Sequence, residues 1–200
     1  MSETWLQPKV LVGQLVELRP LSMDHTTDLQ RVILNTQLPD LWYTSVPKPE
    51  EVPGYIERAL ADRDNGTAMP YIIRLRSSGA AVGCTRFCNA DPAAPNLEIG
   101  YTWYSPKVQR TGVNTECKYL LLEHAFESLD CIAVYFRTHF MNRRSRAAIE
   151  RLGAKQDGIL RNHQRLPDGS YRDTVVYSII DNEWPAVRNR LSGLMGDDYL

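Results

Sequence analysis

The stretch Val108-Gln109-Arg110-Thr111-Gly112-Val113-Asn114-Thr115-Glu116 decides how the rest of the chain is interpreted. It lies between a strand-like run that ends at Pro106 and a helix-like run that reaches Leu129. A glycine-containing loop before a helix directs several backbone N–H groups, and the positive end of the helix dipole, at one point. The stretch therefore predicts a site for phosphate oxygens, although an ordinary tight turn also explains a single glycine.

This loop differs from two common phosphate-binding motifs. It lacks the Lys-Ser/Thr ending of a nucleoside-triphosphate P-loop and the three spaced glycines of a dinucleotide fold. Asn114 follows the glycine closely, and asparagine both tolerates unusual backbone angles and caps helices. We therefore expect Asn114 to be compatible with a phosphate loop.

The composition is that of an ordinary globular protein. Among 200 residues, 43% are hydrophobic, 24% are charged, and 23 basic against 24 acidic side chains leave a net charge of −1. Such a balance excludes a global field that would steer the chain to nucleic acid or an anionic membrane. The N-terminus has no basic-then-apolar signal pattern and no apolar run reaches membrane-span length, so we expect a cytoplasmic protein. Four cysteines without a paired Cys-x-x-Cys or His motif predict reduced thiols and no metal site.

Hydrophobic periodicity predicts a single domain, residues 1–200, with the order β-α-α-β-β-β-α-β-α-β-β-α. This order excludes the regular alternation of a doubly wound parallel sheet and predicts an α+β fold. We expect a mixed, mostly antiparallel sheet of about seven strands with helices on both faces. The predicted strands cover 14–20, 71–76, 81–89, 96–104, 132–139, 159–166 and 172–180, and the helices cover 22–35, 49–63, 113–129, 142–152 and a last segment capped by Asn182.

A second candidate site lies at the start of the helix over 142–152. Asn142 is a natural helix cap, and Ser145 begins a buried stripe at helical spacing. Arg143 and Arg146 are predicted to lean outward. Three arginines oppose the positive end of the helix dipole, so a bound anion would stabilise this turn. A solvated basic face with a buried serine explains the pattern equally well.

The third candidate site is the strand Leu97-Glu98-Ile99-Gly100-Tyr101-Thr102-Trp103-Tyr104. Strict alternation predicts that Ile99, Tyr101 and Trp103 share one face with Leu97, and that Glu98 shares the other with Gly100. A mid-strand carboxylate in a sheet covered on both sides needs a partner or a watery cleft. The neighbouring glycine suggests a bulge or a close approach to the backbone, and a structural salt bridge is the alternative.

Taken together, these sites resemble the GNAT superfamily, and more narrowly its RimJ/RimL-like branch. The resemblance covers residues 14–188, which leaves 1–13 and 189–200 as terminal extensions. Where that family usually has Gly or Ala, this chain has Asn114. Its motifs are, in order, 16–21 (VELRPL), 98–101 (EIGY), the loop 109–116, Asn142-x-x-Ser145 with 148–153, 157–161 and 173–178.

The resemblance implies that an acetyl group moves from acetyl-CoA to a primary amine by direct attack in a ternary complex, without a covalent enzyme intermediate. Glu98 is then the candidate base, acting directly or through water, and Ser145 the acid that protonates the leaving thiolate. Strand backbone would pair with the pantetheine arm and polarise the thioester oxygen. The implied cosubstrate-binding residues are Ile99, Tyr101, Trp103, Gln109, Arg110, Thr111, Gly112, Val113, Asn114, Asn142, Arg143 and Arg144.

The acceptor is predicted less sharply. An α-amine with a pKa near 8 is roughly one-tenth neutral at pH 7, whereas a lysine near 10.4 is neutral about once in two thousand, a gap of about 3 kcal/mol. One inward carboxylate therefore suits an α-amine, and the branch resemblance points the same way, toward protein N-termini. A small-molecule amine stays open. His139 and His163 are candidates for the acceptor side, and Leu41-Trp42-Tyr43 for the pocket wall.

Two functions without catalysis also stay open from the sequence. A CoA-binding regulatory module could keep the fold without turnover. Nucleic-acid binding through the arginines of 143–151 is disfavoured by the slightly negative net charge. A homodimer is compatible with the sequence.

Overall fold

The computed structural model describes residues 5–34, 36, 38, 44, 46–166 and 168–196. Two strands open the chain and a helical hairpin follows, before three antiparallel strands and a crossover helix. A further strand, helix, hairpin and terminal helix complete the order. The strands are β1 (Leu11–Val12), β2 (Val16–Pro20), β3 (Met69–Leu75), β4 (Ala81–Asp91), β5 (Asn96–Tyr104), β6 (Ala133–His139), β7 (Lys155–Arg165) and β8 (Tyr171–Ile180), and the helices are α1 (Thr26–Ile33), α2 (Val52–Asp64), α3 (Val113–Glu123), α4 (Arg143–Leu152) and α5 (Trp184–Met195).

All eight strands form one sheet in the order β1-β2-β3-β4-β5-β6-β8-β7. Every neighbouring pair is antiparallel except β5 and β6, which are parallel because α3 carries the chain back across the sheet. The predicted α+β class is confirmed. The strand number is eight rather than about seven, since the two residues of β1 are too few to give a period-two pattern.

Helices cover both faces of the sheet, as predicted. One apolar cluster joins α3, α4 and α5 to the sheet through buried residues such as Leu121, Ile149 and Leu191. A smaller cluster joins α1 and α2 to the other face through residues such as Leu29 and Ile56. The sheet is therefore the middle layer of three, which is how an α+β domain buries both of its faces.

Two helix predictions need correction. The helix that follows the glycine loop ends at Glu123 and continues as a π-helical turn over His124–Ser128, which sequence periodicity does not reveal. The last helix is not capped by Asn182, which lies within a 3-10 turn over Asp181–Glu183, and α5 begins after Glu183. The short helix α4, by contrast, ends at Gly153 in the left-handed conformation, as predicted.

Glu116 ties α3 to the start of the sheet. Its side chain is fully buried, and its two oxygens accept hydrogen bonds from the backbone amides of Gln14 at 2.7 Å, Leu15 at 2.9 Å and Val16 at 2.6 Å. A Cβ at Gly13 would overlap the same carboxylate. The last residue of the stretch quoted first is therefore itself an anion held by a backbone turn.

Candidate active site

The site is built around an opening in the sheet between β5 and β6. Their parallel pairing runs only from Asn96↔Ala133 to Glu98↔Tyr135. Beyond that point residues 99–104 of β5 and 136–139 of β6 diverge, and we call the opening between them the wedge. Among the described residues no β-ladder spans the wedge, so its edges offer backbone N–H and C=O groups with which an extended ligand could bond.

A β-bulge next to the wedge explains the divergence. The β4–β5 register skips between Cys84 and Arg86, and Tyr101 adopts a positive φ of 51°. Gly83 is required opposite the bulge, since a Cβ there would overlap the Trp103 carbonyl oxygen. Bulges bend a strand and redirect its backbone groups, so this one turns β5 away from β6.

The bulge also corrects the predicted alternation of β5. Leu97 and Ile99 belong to the apolar cluster under α3, as expected for one face. Trp103 instead joins the cluster under α1 and α2, on the opposite face. Tyr101 is 46% exposed, and its ring stacks on the Arg86 guanidinium at 4.0 Å. One extra residue in the strand moves every later side chain to the opposite face of the sheet.

The glycine loop connects the bulged strand to α3. Thr111 stabilises it locally, since its hydroxyl donates to the Val108 carbonyl at 2.7 Å and accepts from the Val113 amide at 3.3 Å. The left-handed residue of the loop is Arg110, with φ 62°, rather than the glycine. Gly112 is the N-cap of α3, and Asn114 lies in the first turn of the helix. The amides of the first turn of α3 follow an exposed loop and are available to an anion.

Gly112 meets a side chain rather than open space. A Cβ at this position would lie 3.0 Å from the Leu15 Cδ1 atom. An alanine needs only a small shift of Leu15, whereas a leucine has to displace the loop. We expect Gly112→Leu to raise the Kd for CoA about tenfold or more, roughly 1.4 kcal/mol or above. Gly112→Ala is the control, and calorimetric titration that finds equal affinities for both variants would remove the loop from the CoA site.

The start of α4 closes the wide end of the wedge. The side-chain Oδ1 atom of Asn142 accepts a hydrogen bond from the Ser145 backbone amide at 3.1 Å, so the predicted cap is confirmed. Arg144 donates to the Gln109 side-chain oxygen at 2.8 Å, and Gln109 in turn donates to the Tyr104 carbonyl at 3.1 Å. This chain of contacts brings the glycine loop and the arginine-rich turn together. Arg143 is exposed beside them.

Ser145 is half-buried, and the inward direction predicted for it agrees with the burial of Ile149 and Leu152 on α4. Arg146 departs from the predicted outward direction. Its guanidinium donates to the Tyr177 hydroxyl at 3.0 Å, and the same hydroxyl donates to Glu150 at 2.7 Å. Tyr177 therefore packs under α4, on the face of the sheet away from Glu98.

Glu98 lies at the narrow end of the wedge and is 8% exposed. Its Oε2 atom accepts from Asn89 Nδ2 at 2.8 Å and faces Arg137 Nη1 at 3.4 Å. Burial raises the pKa of this carboxyl, while the Asn89 hydrogen bond and the Arg137 charge partly oppose the rise. Glu98 is thus a partly desolvated base with a partner, which combines the two alternatives left open by the sequence. It is not in contact with Ser145, which lies at the opposite end of the wedge.

Two histidines border this region. His139 is 4% exposed, so it is not a surface residue at the strand end; its Nδ1 atom accepts from the Met141 amide at 3.0 Å. Burial lowers the pKa of His139 below the ordinary value for histidine. His163 is exposed and its Nδ1 atom lies 3.0 Å from the Thr174 hydroxyl. The predicted pocket segment Leu41-Trp42-Tyr43 lies outside the described residues.

The sequence did not single out Lys118, a buried cation on α3. Its Nζ atom donates to the Thr102 hydroxyl at 2.7 Å on β5 and lies 6.0 Å from the ring of Phe136 on β6. It therefore sits between the two diverging strands, at the floor of the wedge. Burial lowers the pKa of Lys118 to about 8. The predicted one-sided apolar stripe missed it because α3 is buried nearly all round.

An opening between two parallel strands, next to a helix that begins after an exposed glycine-containing loop, has the shape to hold an extended ligand with a phosphate end. The model of the acetyltransferase (GNAT) domain family matches residues 16–155. The chain belongs to the GNAT acetyltransferase family. It is therefore an acetyl-CoA-dependent acyltransferase, and the wedge, the loop and Arg144 fit the elongated, anionic cosubstrate.

Individual relatives agree with this assignment. The chain is 27% identical over 169 residues to a Bacillus subtilis (strain 168) protein named "Putative ribosomal N-acetyltransferase YdaF", which covers 84% of this chain and 90% of that protein. A GCN5-related N-acetyltransferase from Brucella melitensis has a TM-score of 0.86 at 25% identity over 96% of this chain and 88% of its own. Mycobacterium smegmatis RimJ in complex with CoA-disulfide shares the fold, with a TM-score of 0.76 at 23% identity over 94% and 92% of the chains. The name of the Bacillus subtilis relative agrees with the resemblance to the RimJ/RimL-like branch, and the RimJ structure shows the shared fold.

Within the part of the chain that the structure describes, no group of three or more His, Cys, Asp or Glu side chains is placed to hold a metal ion. Over the same ranges, no helix has the length and apolar character needed to cross a bilayer. The four cysteines, Cys84, Cys88, Cys117 and Cys131, are free and buried.

Proposed function

We propose that this GNAT enzyme acetylates the α-amine of a protein N-terminus by direct attack in a ternary complex. The observation that carries the proposal is Glu98, a single partly desolvated carboxylate at the narrow end of the wedge. A raised pKa suits a base that removes a proton from an amine which is already partly neutral. The name of the Bacillus subtilis relative points to protein acetylation as well.

Binding of the cosubstrate is assigned to three parts of the chain. The amides of 109–114 hold the diphosphate at the start of α3, where the helix dipole favours negative charge. The backbone of 99–103 bonds the pantetheine arm along the wedge. Asn142 bonds the arm at the mouth, and Arg143 and Arg144 reach the adenosine phosphates. Arg144 already contacts the loop through Gln109, which supports this placement.

Acetyl-CoA supplies an activated thioester, so the chain has only to position the amine and move protons. Glu98 accepts the proton that the amine loses as it bonds to the carbonyl carbon, directly or through water. Ser145 donates a proton to the sulfur as the carbon–sulfur bond breaks. The backbone of β5 polarises the carbonyl oxygen in between.

The proposal is tested by incubating the protein with acetyl-CoA and an amine panel while free thiol is measured. The panel contains N-terminal peptides, the same peptides with blocked α-amines but free lysine, and small amines. Thiol release that requires a free α-amine, with a mass increase on the peptide N-terminus, is the expected result. Release with small amines alone would favour the small-molecule alternative. Tight CoA binding without thiol release on any acceptor would favour a regulatory module.

The pH dependence of turnover tests the base. Because burial raises the pKa of Glu98, the acid limb of the kcat–pH profile should lie above the ordinary glutamate value of about 4.3, with activity lost as the pH falls through the raised pKa. Glu98→Gln should remove that limb and lower kcat about 10- to 100-fold. This loss lies at or below the lower end of the range for general bases, because an α-amine is already partly neutral near pH 7. Glu127→Gln, on the far helix layer, is the control. A profile unchanged in Glu98→Gln would exclude Glu98 as the base.

The domain organisation, the cellular location and the oligomeric state belong to the same proposal. We infer that residues 1–200 act as one catalytic unit, with Leu6 and Leu11 of the N-terminal extension already in the core. We also infer a cytoplasmic site of action, where acetyl-CoA is available. A homodimer stays a prediction, and sedimentation of the purified chain decides it.

A further inference from the structure

The sheet has a polar face around Glu98 that the proposed chemistry uses only in part. Paired residues in a sheet point to the same side, and alternate residues share a face. The pairs Glu98↔Tyr135, Arg137↔Val176 and His139↔Thr174 therefore place Glu98, Arg137 and Thr174 on one face. Arg172, two residues before Thr174 on β8, belongs to it as well. We call this surface the acceptor face.

The apolar cover of α1 and α2 does not extend over the acceptor face. The cluster that these helices form with the sheet reaches Ile72 on β3, Cys84 on β4 and Trp103 on β5, and contains no residue of β6, β7 or β8. The opposite face of β8 is buried under the other helices through Val175 and Tyr177. Over the described residues, the acceptor face is thus polar where the rest of the sheet is apolar.

Two arginines of the acceptor face act on Glu98. Arg137 forms an ion pair with Glu98 at 3.4 Å, and its side chain is 38% exposed. The half-buried Arg172 also acts on Glu98, because its charge opposes the rise in the carboxyl pKa. Arg86 is buried and faces Asp62 at 3.5 Å. Among described residues, Arg172 belongs to neither ion pair, and the Asp157 carboxylate accepts from the Ser178 hydroxyl at 2.9 Å, farther along β8.

Arg172 is held in a fixed orientation. Its Nε atom donates to the Thr174 hydroxyl at 3.0 Å, and that buried hydroxyl also contacts the ring of His163 at 3.0 Å. Burial lowers the pKa of Arg172 from its usual value, which still leaves the guanidinium charged at pH 7. An ordered guanidinium is suited to a planar carboxylate, which it can bind through two parallel hydrogen bonds.

We propose that the acceptor carries a carboxylate close to its reacting amine, and that Arg172 binds this carboxylate. Arg137, already paired with Glu98, adds a second positive charge nearby. The carboxylate belongs either to an acidic side chain at the first or second position of a protein N-terminus or to a free amino acid. The inference rests on the proposed function, because it concerns the acceptor side of the same site.

The test compares acceptors that differ only in one carboxylate. Peptide pairs carry Asp or Asn at position one or two, and a third pair is a free amino acid and its amide. We expect kcat/KM to be about tenfold or more higher for the acidic member, which corresponds to roughly 1.4 kcal/mol. The peptide and amino-acid pairs identify the source of the carboxylate. Equal values within every pair would overturn the proposal.

Variants assign the preference to Arg172. Arg172→Gln should abolish it by raising KM for the acidic acceptors far more than for the neutral members. Arg172→Lys should restore part of the preference, since the charge returns without the fork. Arg165→Gln removes an equal charge from the same hairpin and should leave the preference intact. Loss of the preference in Arg165→Gln to the same degree would show a general charge effect and overturn the assignment.

A binding measurement keeps this inference separate from the proposed function. Calorimetry of the CoA-bound protein with the same Asp and Asn peptides requires no turnover. Tighter binding of the Asp peptide that is lost in Arg172→Gln supports the carboxylate site even if no acceptor releases thiol. Turnover of α-amines without any acid preference would overturn the carboxylate site and leave the N-acetyltransferase activity in place.

Discussion

Replacing Ser145 by alanine should lower kcat about 100- to 1,000-fold, within the range for loss of a general acid. Without the hydroxyl the sulfur leaves as a thiolate, which near neutral pH is a poorer leaving group than a thiol. CoA affinity should change little, since the Ser145 amide still donates to Asn142 and alanine is a good helix former. Pre-steady-state and steady-state rates on one N-terminal peptide, with a CoA titration of each protein, measure both effects.

Ser145→Thr is the matched variant, since it keeps a hydroxyl on the first turn of α4. It should retain most of the turnover that Ser145→Ala loses. A rate in Ser145→Ala that equals wild type would remove Ser145 from the mechanism. Equal losses in both variants would indicate that the first turn of α4 matters for its shape rather than its hydroxyl.

Replacing Glu116 by alanine should destabilise the folded chain by about 3–5 kcal/mol, because a fully buried carboxylate is lost and three backbone N–H groups, one of them buried, lose their shared acceptor together. Those amides belong to Gln14, Leu15 and Val16, so the connection from β1 to β2 detaches from α3. For a chain of this length, such a loss lowers the Tm by about 6–20 °C. Urea unfolding followed by fluorescence gives the free energy of unfolding directly.

Glu123→Ala is the control on the same helix, because Glu123 is partly exposed and accepts from the Tyr119 hydroxyl at 2.9 Å. It should cost about 1 kcal/mol or less. Glu116→Gln should fall between the two, since an amide retains one acceptor oxygen. A loss below about 1 kcal/mol in Glu116→Ala would mean that water replaces the carboxylate at the β1–β2 turn.

The order of elements was predictable because each carries its own local signal. The presence of strands β4 and β5, the Asn142 cap and the terminal Gly153 of α4 all follow from residue type and spacing. The glycine loop and the arginine-rich turn at 143–146 are also visible in the sequence as local motifs. Those features depend on a few neighbouring residues, and periodicity and capping rules apply at that scale.

The features that the sequence did not predict share a different cause, because each of them depends on contacts between residues that are distant in the chain. The bulge that turns Trp103 to the other face arises from the skipped register against β4, and Gly83, the residue that permits it, is far along the chain. Arg146 turns inward because Tyr177 of β8 offers a hydroxyl. Arg172 reaches the neighbourhood of Glu98 only through the pairing of β6 with β8. No local pattern encodes such partners.

The incomplete pairing of β5 and β6 links the lifetime of this protein to the supply of its cosubstrate. Residues 99–104 lack a register partner on the edge toward β6. If acetyl-CoA binds along this edge, as we propose, it binds only the folded chain. Saturation at a hundredfold excess over Kd adds about 2.7 kcal/mol to folding stability. When acetyl-CoA runs low, amide hydrogens along this edge should exchange faster, and proteases meet a more readily opened molecule. Metabolic starvation would then reduce the amount of enzyme as well as its rate.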